Sequence, residues 1–233
     1  LKLGELRKIH LELPPIEIQE RIVQILDKAE RLKELREESI KKSEELRKSI
    51  FHSEIISKLE NKIPNGWKVK TLEEVTEMIK DGTHGSHKRF RSGIPLLSAK
   101  DIKNRTLNLK TNDYVSVEDY LKYKESIDVK IGDIFFTVVG TIGNLVINMS
   151  SEKFMLQRSV AIIRSNELID NKFLACFLGS DYVLNQAKRM SHGATQKGLY
   201  LNKLRKIKIV IPPLQIQNKF INKINLLDKL DKK

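Results

Sequence analysis

The chain has 233 residues, of which 43 are Lys or Arg and 30 are Asp or Glu, so its formal net charge is +13. Charged residues make up 31% and hydrophobic residues 40% of the chain, a balance that excludes intrinsic disorder. No run of 18 apolar residues is present to form a transmembrane helix. The single cysteine, Cys176, excludes an internal disulfide framework and a Cys-rich zinc site, and we expect a reduced, cytoplasmic protein with no membrane partner.

The excess of positive charge lies in the middle of the chain. Residues 61–211 contain 25 basic and 15 acidic side chains, a net charge of +10, whereas residues 16–60 contain 10 and 11. This pattern is typical of a basic binding domain beside a balanced, heavily charged helix. It favours a polyanionic partner, with nucleic acid as the leading candidate.

Two segments of the chain repeat each other at a constant offset of 198 residues. Residues 3–19 read LGELRKIHLELPPIEIQ and residues 201–217 read LNKLRKIKIVIPPLQIQ. Each copy passes from an apolar, β-like stretch through two prolines, which suit a first helical turn, into a helix. We therefore expect residues 1–15 to be the terminal strand of a preceding unit, residues 16–60 a long helix, and residues 214–233 the start of a second helix. Such a chain is either trimmed or the C-terminal part of a longer, two-unit protein.

Both predicted helices carry an apolar stripe whose members are spaced by three or four residues. A single helix cannot bury such a stripe, so the stripe needs a partner surface. Because the repeat supplies two helices of the same pattern, we expect them to pair; a helix lying on its own globular domain is the alternative. The residues assigned to pairing are Ile18, Ile22, Leu26, Ala29 and Leu32 in the first helix and Ile216, Phe220, Ile224, Leu227 and Leu230 in the second.

Residues 61–213 form a predicted mixed α+β domain. Thr71 and Glu74 are spaced as a capping box for a short helix over residues 72–80. A longer helix is predicted over residues 171–190, and a Gly-containing turn at 140–144 predicts a hairpin. β-branched and aromatic residues predict strands at 94–97, 134–139, 145–148, 159–164 and 206–211.

The arrangements that catalysis requires are absent from the sequence or only weakly present. Three acid-x-Lys triplets, which begin at Asp101, Asp128 and Asp170, are what a magnesium nuclease would use, but such triplets arise by chance in so charged a chain. Three loop histidines have no nearby Cys partner for a metal site; they are His84, His87 and His192. We therefore predict no catalytic residues, no metal and no cofactor.

Two Gly-containing loops, at 81–87 and 191–199, adjoin the densest basic clusters. Duplex DNA requires cations for its phosphates and forked donors for its base edges. Arg89 and Arg91 are candidates for bidentate contact with guanine, and Gln196 for contact with adenine; solvated surface charges, and a loop-ordering role for Gln196, are the alternatives. The predicted DNA-binding residues are Thr83, His84, His87, Lys88, Arg89, Arg91, Lys100, Lys103, Lys188, Arg189, Thr195, Gln196 and Lys197.

Short motifs occur in a set order along almost the whole chain. They are DGTH at 81–84, GIPLLS at 93–98 with DI at 101–102, GDI at 132–134 with GTIG at 140–143, Gln157, GATQ at 193–196, and IPPL at 211–214 with Gln217. In this order, and with the repeat, the chain resembles the specificity subunits of type I restriction-modification systems. Leu156 is a departure, since the family usually has Asn before this Gln.

The resemblance implies an α+β fold with one globular target recognition domain of twisted β-strands, residues 61–213, beside long coiled-coil spacer helices. Such subunits normally carry two recognition domains, each reading half of a split site, and two antiparallel helices that also dock methyltransferase subunits. The implied partners are double-stranded DNA, modification methyltransferase subunits and the restriction/translocase subunit. Half-length subunits of this type can work as homodimers, so a chain that is natively half-length could pair with a second copy of itself.

Two other interpretations of the residues stay open. A coiled-coil structural or adaptor protein, whose basic domain binds RNA or an acidic protein surface, would show no preference for DNA over RNA and no methyltransferase partner. A self-contained nuclease would cleave DNA with magnesium alone. A non-catalytic specificity subunit accounts for the basic domain, the repeat and the motif order together.

Overall fold

The computed structural model describes residues 12–59, 63–191 and 198–231, with side chains described as far as residue 229. The chain divides into two units, residues 1–43 and residues 44–233. The predicted terminal strand falls almost entirely before residue 12, outside the described part of the chain. None of the described helices is both long enough and apolar enough to cross a membrane.

The described chain contains six α-helices and eleven short strands. The helices are α1 (Ile16–Phe51), α2 (Val117–Ser126), α3 (Asn171–Leu178), α4 (Asp181–Ser191), α5 (Leu201–Leu204) and α6 (Leu214–Asp231). The strands are β1 (Lys68–Thr71), β2 (Thr76–Asp81), β3 (Ile94–Leu97), β4 (Ile102–Lys103), β5 (Thr106–Leu107), β6 (Tyr114–Val115), β7 (Ile134–Thr137), β8 (Leu145–Ile147), β9 (Met155–Leu156), β10 (Val160–Ser165) and β11 (Lys208–Ile211). This is the α+β mixture that the sequence predicts.

The first unit contains the amino-terminal part of α1, which begins directly after the Pro-Pro pair. The Gln19 side-chain amide donates to the Pro14 carbonyl at 2.7 Å, and the backbone N–H groups of Ile18 and Gln19 donate to the Pro15 carbonyl. The bond from Ile18 satisfies one of the N–H groups that a helix start otherwise leaves unpaired, and the Gln19 side chain ties the first turn to Pro14. The predicted pairing residues of this helix are all exposed: Ile18, Ile22, Leu26, Ala29 and Leu32.

The second copy of the repeat begins α6 in the same way. The Gln217 amide donates to the Pro212 carbonyl at 2.9 Å, and the backbone N–H groups of Ile216 and Gln217 donate to the Pro213 carbonyl. Gln217 is fully buried, and its side-chain oxygen also accepts the backbone N–H of Asp170 at 3.1 Å. The repeated Pro-Pro and Gln residues therefore encode the same helix start twice.

A four-stranded antiparallel sheet of the order β2-β10-β7-β8 forms the centre of the second unit. Asp81 at the end of β2 pairs with Ala161, and Thr137 at the end of β7 pairs with Val160. The next strand of the predicted hairpin, β8, begins at Leu145 beside β7. The last residues of β2 and β7 and the first residues of β10 and β8 therefore meet at one edge of the sheet, which we call the loop edge.

Each face of the central sheet has its own hydrophobic core, because side chains alternate along a strand. In β7, Ile134 and Phe136 belong to a core shared with α3, α4 and α6, whereas Phe135 belongs to a core shared with β3, β9 and α2. In β10, Ile163 and Ile162 divide between the same two cores. The sheet is thus the middle layer between helices and a smaller sheet.

Four buried phenylalanines connect the end of α1, helix α3 and helix α6. Phe51, the last residue of α1, lies 5.3 Å from Phe220 and 5.4 Å from Phe177 between ring centroids, in edge-to-face geometry. Phe173 lies 5.7 Å from Phe220. Such contacts stabilise aromatic clusters beyond simple area burial.

The stripe of α6 packs both on the domain and on the end of α1. Phe220 and Ile224 are buried in the first core, with Ile216 and Leu227 half-buried against it; Leu230 has no described side chain. From the end of α1, Phe51 packs against this stripe. An ion pair of 2.7 Å between Arg47 Nη1 and Asp228 Oδ1 joins the same two helices.

These contacts explain why the boundary between the two units lies within α1. Arg47, Phe51 and Ile55 are spaced by four residues and are all buried, so one stripe of the last turns packs into the domain. The second unit therefore begins at Glu44 and includes these last turns of the helix. Beyond Phe51, α1 continues as the π-helical turn His52–Ile56 and the 3-10 turn Ser57–Leu59.

The predicted helix over residues 72–80 is wrong. The capping box is present, since the Thr71 N–H donates to Glu74 Oε2 at 2.6 Å and the Glu74 N–H to Thr71 Oγ1 at 3.4 Å. It begins only the 3-10 turn Glu73–Val75, and the chain then pairs with β10 as β2. Sheet pairing with a strand distant in sequence outweighs the local helix signal here.

The predicted helix over residues 171–190 is interrupted and becomes α3 and α4. The Ser180 hydroxyl donates to the Phe177 carbonyl at 2.6 Å and the Gly179 N–H to the Ala175 carbonyl at 3.1 Å, which ends α3. A Gly at this position is typical of a helix end. The five predicted strands are confirmed as β3, β7, β8, β10 and β11, with ends that differ from the prediction by at most two residues.

Candidate nucleic-acid interface

The first Gly-containing loop leaves β2 at the loop edge. Gly82 lies so close to the neighbouring chain that a Cβ atom there would be 2.1 Å from the Leu156 carbonyl oxygen. The next residue, Thr83, donates its N–H to the same carbonyl at 2.7 Å and accepts the N–H of Arg158 at 3.1 Å. Gly82 is therefore required by close backbone approach, and the loop begins anchored beside Gln157.

The side chain of His87 anchors the middle of this loop. Its Nε2 lies 2.7 Å from the Thr83 hydroxyl oxygen, and its Nδ1 lies 3.3 Å from Asp119 Oδ1 on α2. The His87 side chain is only 14% exposed. In this structure it connects the first loop to α2. His84 is exposed and its Nε2 lies 2.5 Å from Asp81 Oδ2.

A third anchor brings two predicted DNA-binding cations to one carboxylate. The Phe90 N–H donates to the Tyr114 carbonyl at 3.0 Å. Next to this bond, Asp113 lies 3.7 Å from Arg89 Nε and 3.0 Å from Lys100 Nζ. The hydrogen bond to Asp113 raises the pKa of Lys100 above its ordinary value, so this ammonium group stays charged.

The other cations of the first cluster are exposed. Lys88 Nζ lies 5.5 Å from the ring centroid of Phe90, a cation–π distance. Arg91 follows Phe90 on the exposed part of the loop, and Lys103 is exposed at the end of β4. The first cluster therefore exposes its cations on a segment that is held in place at Thr83, His87 and Phe90.

The second Gly-containing loop ends at the same edge of the sheet. Lys188 and Arg189 are exposed in the last turn of α4, whereas Thr195, Gln196 and Lys197 lie outside the described residues. Where the chain is described again, Gly198 pairs with Val139 just beyond β7, and the Leu199 N–H donates to the Val138 carbonyl at 2.8 Å. Both Gly-containing loops thus have an end fixed at the loop edge.

Three residues of this surface were missed by the sequence argument. Arg158 is exposed beside the start of the first loop, and Asp113 and Asp119 hold its cations and its histidine. The carboxylates lie far from the loop in sequence, so no local pattern identifies them. Arg158 could have been found from its place after Gln157, a residue of the motif series.

Acidic residues elsewhere in the domain have structural partners. Asp101 Oδ2 accepts the Ser98 N–H at 2.8 Å, and Asp170 Oδ1 accepts the Lys172 N–H at 2.7 Å, so two of the acid-x-Lys triplets begin with helix caps. Within the described residues, no group of three or more His, Cys, Asp or Glu side chains could hold a metal ion. Cys176 is buried, and burial raises the pKa of its thiol.

The opposite edge of the central sheet is held by a buried ion pair. Arg164 Nε lies 2.7 Å from Asp133 Oδ1, and Arg164 Nη2 lies 2.8 Å from Asp133 Oδ2. Asp133 is 1% exposed, and its pairing raises the pKa of Arg164. This bidentate pair accounts for the GDI motif as a structural feature.

Comparison with known proteins identifies the second unit. The family model described as the type I restriction modification DNA specificity domain matches residues 64–233. The chain is 26% identical to the type I restriction enzyme MjaVIII specificity subunit of Methanocaldococcus jannaschii, an alignment that covers 95% of this chain and 56% of that protein. It is 29% identical to a putative type I restriction enzyme specificity subunit of Haemophilus influenzae, covering 98% of this chain and 57% of that protein.

A solved structure shares the fold. The HsdS subunit of Thermoanaerobacter tengcongensis superimposes with a TM-score of 0.57 at 20% identity, over 94% of this chain and 53% of that one. At this level of identity the likeness shows the fold alone. The chain spans about half the length of the curated relatives it matches.

Proposed function

This chain belongs to the family of type I restriction modification DNA specificity domains, and from that premise we propose that it is a non-catalytic subunit that reads one half of a split DNA site. Reading takes place at the loop edge, where the first Gly-containing loop begins and the second one ends. The observation that carries the proposal is the convergence of these loops beside exposed cations, in a segment with a net charge of +10. Cations at phosphates supply affinity, and forked donors at base edges supply specificity.

The experiment that tests this proposal measures duplex binding as a function of salt. Arg158→Ala removes an exposed cation beside the start of the first loop, and we expect the slope of log K against log salt to become shallower by about 0.9. Lys130→Ala is the matched control, because Lys130 is an exposed cation near the opposite edge of the sheet. Equal slopes for the two variants would contradict DNA binding at the loop edge, and tighter binding of RNA than of DNA would favour the adaptor interpretation.

We propose further that the helices dock modification methyltransferase subunits, with the restriction/translocase subunit completing the assembly in the cytoplasm. The support is family membership together with the long, heavily charged helix α1. Co-elution of the chain with the methyltransferase, and its loss when the exposed face of α1 is altered, tests the docking. Failure of the unaltered chain to co-elute would refute it.

The exposed stripe of the first unit is assigned to helix pairing. Its partner is either another part of a longer polypeptide or a second copy of this chain. Sedimentation of the chain separates these two cases. A dimer that Leu26→Glu converts to a monomer supports the homodimer, and a monomer at micromolar concentration refutes it.

A further inference from the structure

We propose that Asp113 is a specificity-determining positioning residue, whose carboxylate holds Arg89 in the orientation in which its guanidinium meets a base edge. This inference rests on the proposed function, DNA reading at the loop edge. It concerns the orientation of the Arg89 side chain. It also gives a role to the negatively charged Asp113 on a surface that is otherwise basic.

The backbones that carry both side chains are fixed to each other. Phe90 and Tyr114 form an antiparallel bridge, and the Phe90 N–H donates to the Tyr114 carbonyl at 3.0 Å. Asp113 is held in turn by its carbonyl, which accepts the Leu96 N–H of β3 at 2.9 Å. Arg89 and Asp113 each adjoin the bridged pair, so the alternation of side chains places them on one face.

Two contacts then restrict the guanidinium of Arg89. Its Nε lies 3.7 Å from Asp113 Oδ1, and its Nη1 donates to the His87 carbonyl at 3.4 Å. A guanidinium has five N–H donors, so most of its donors remain for a base edge. An arginine that is already oriented loses less side-chain entropy when it makes a bidentate contact with guanine.

The charge of Asp113 is offset within the same group. Lys100 Nζ lies 3.0 Å from Asp113 Oδ2, so Arg89, Asp113 and Lys100 together keep one net positive charge. A carboxylate at a DNA-binding surface otherwise repels phosphates and lowers affinity. The position of Asp113 between Arg89 and Lys100 indicates that it orients these cations, although its negative charge weakens the non-specific attraction of this surface for DNA phosphates.

This geometry predicts effects of opposite sign on two measurable quantities. Asp113→Asn removes a negative charge, so binding to random duplex at low salt should strengthen by about two- to threefold. The same change frees Arg89, so the preference for the base that it reads should fall about tenfold. A carboxylate that is only a surface charge would raise the affinity for all sequences and leave base preference unchanged.

The test selects bound duplexes from a randomised pool with the full chain. Asp113→Asn is compared with Glu118→Gln, which removes an equal charge from the exposed first turn of α2. We expect the asparagine variant to retain more of the pool but to lose enrichment at one or two positions, while Glu118→Gln keeps the wild-type enrichment. Thermal unfolding of each variant checks that the fold is intact.

Arg89→Lys tests whether Asp113 acts through Arg89. If it does, the single variants lose enrichment at the same positions, and the double variant loses little more than either alone. Wild-type enrichment that survives in Asp113→Asn overturns this inference and leaves the proposed function standing. A wild-type chain that enriches no sequence overturns the proposed function, and the inference with it.

Discussion

The packing of α6 on the domain can be tested by removing one ring of the aromatic cluster. Phe220 is 1% exposed and makes edge-to-face contacts with Phe51 and Phe173. A buried Phe removes about 150–200 Å² from water, which at about 25 cal/mol/Å² corresponds to about 4–5 kcal/mol. Because Ala retains part of this burial and a cavity remains, Phe220→Ala should lower the free energy of unfolding by about 3–5 kcal/mol.

Denaturant unfolding followed by circular dichroism measures this change. Leu226→Ala is the matched control, since Leu226 lies on the same helix but is 62% exposed, and it should change the free energy of unfolding by no more than about 0.5 kcal/mol. If the Phe220 stripe instead packed mainly against another chain, the loss would depend on protein concentration. A concentration-dependent loss, or equal stabilities for the two variants, would refute the packing described above.

Three further changes test other parts of the structure. Hydrogen bonds from the Thr71 backbone and hydroxyl group lower the pKa of Glu74 from 4.5 to about 2, so its contribution is present above pH 4.5 and is lost as the pH falls towards 2. Glu74→Gln should therefore flatten the decline of stability in that window, as thermal melts at successive pH values would show. Asp133→Asn breaks the bidentate pair with Arg164 and should reduce the free energy of unfolding by about 3 kcal/mol in denaturant titrations. Gly82→Ala forces a Cβ to within 2.1 Å of a backbone carbonyl oxygen, so it should weaken duplex binding in fluorescence anisotropy. Gly140→Ala should weaken it less, because the added Cβ would meet no atom within 4 Å and the change costs only the strain of an alanine at a φ of +80°.

The parts of the fold that were predictable are those with strong local signals. Residues 134–137 combine β-branched and aromatic side chains and form a fully buried strand, β7. The Pro-Pro pairs mark the starts of α1 and α6 because proline suits a first helical turn. The sequence repeat also predicts a structural repeat, because in both copies the Gln side chain donates a hydrogen bond to the carbonyl of the first proline.

The parts that were not predictable depend on contacts between distant residues. The capping box at Thr71 looks like a helix start, but pairing of Thr76–Asp81 with β10 converts the segment into a strand. The stripe of α6 could be recognised as apolar, yet its packing on Phe51 and Phe173 follows from tertiary structure. For the interface, local composition identified Arg89 and Lys100, but only the fold brings both to Asp113.

The most direct test of the account is site-specific photo-cross-linking of the chain to duplex DNA. A photoreactive residue in place of Arg158, whose N–H donates to the Thr83 carbonyl, lies at the loop edge. One in place of Ile131, which is 60% exposed, lies near the opposite edge of the same sheet. The account predicts efficient cross-linking from position 158 that specific duplex competes away, and only background from position 131. Equal cross-linking from both positions, or stronger cross-linking from position 131, would contradict DNA reading at the loop edge.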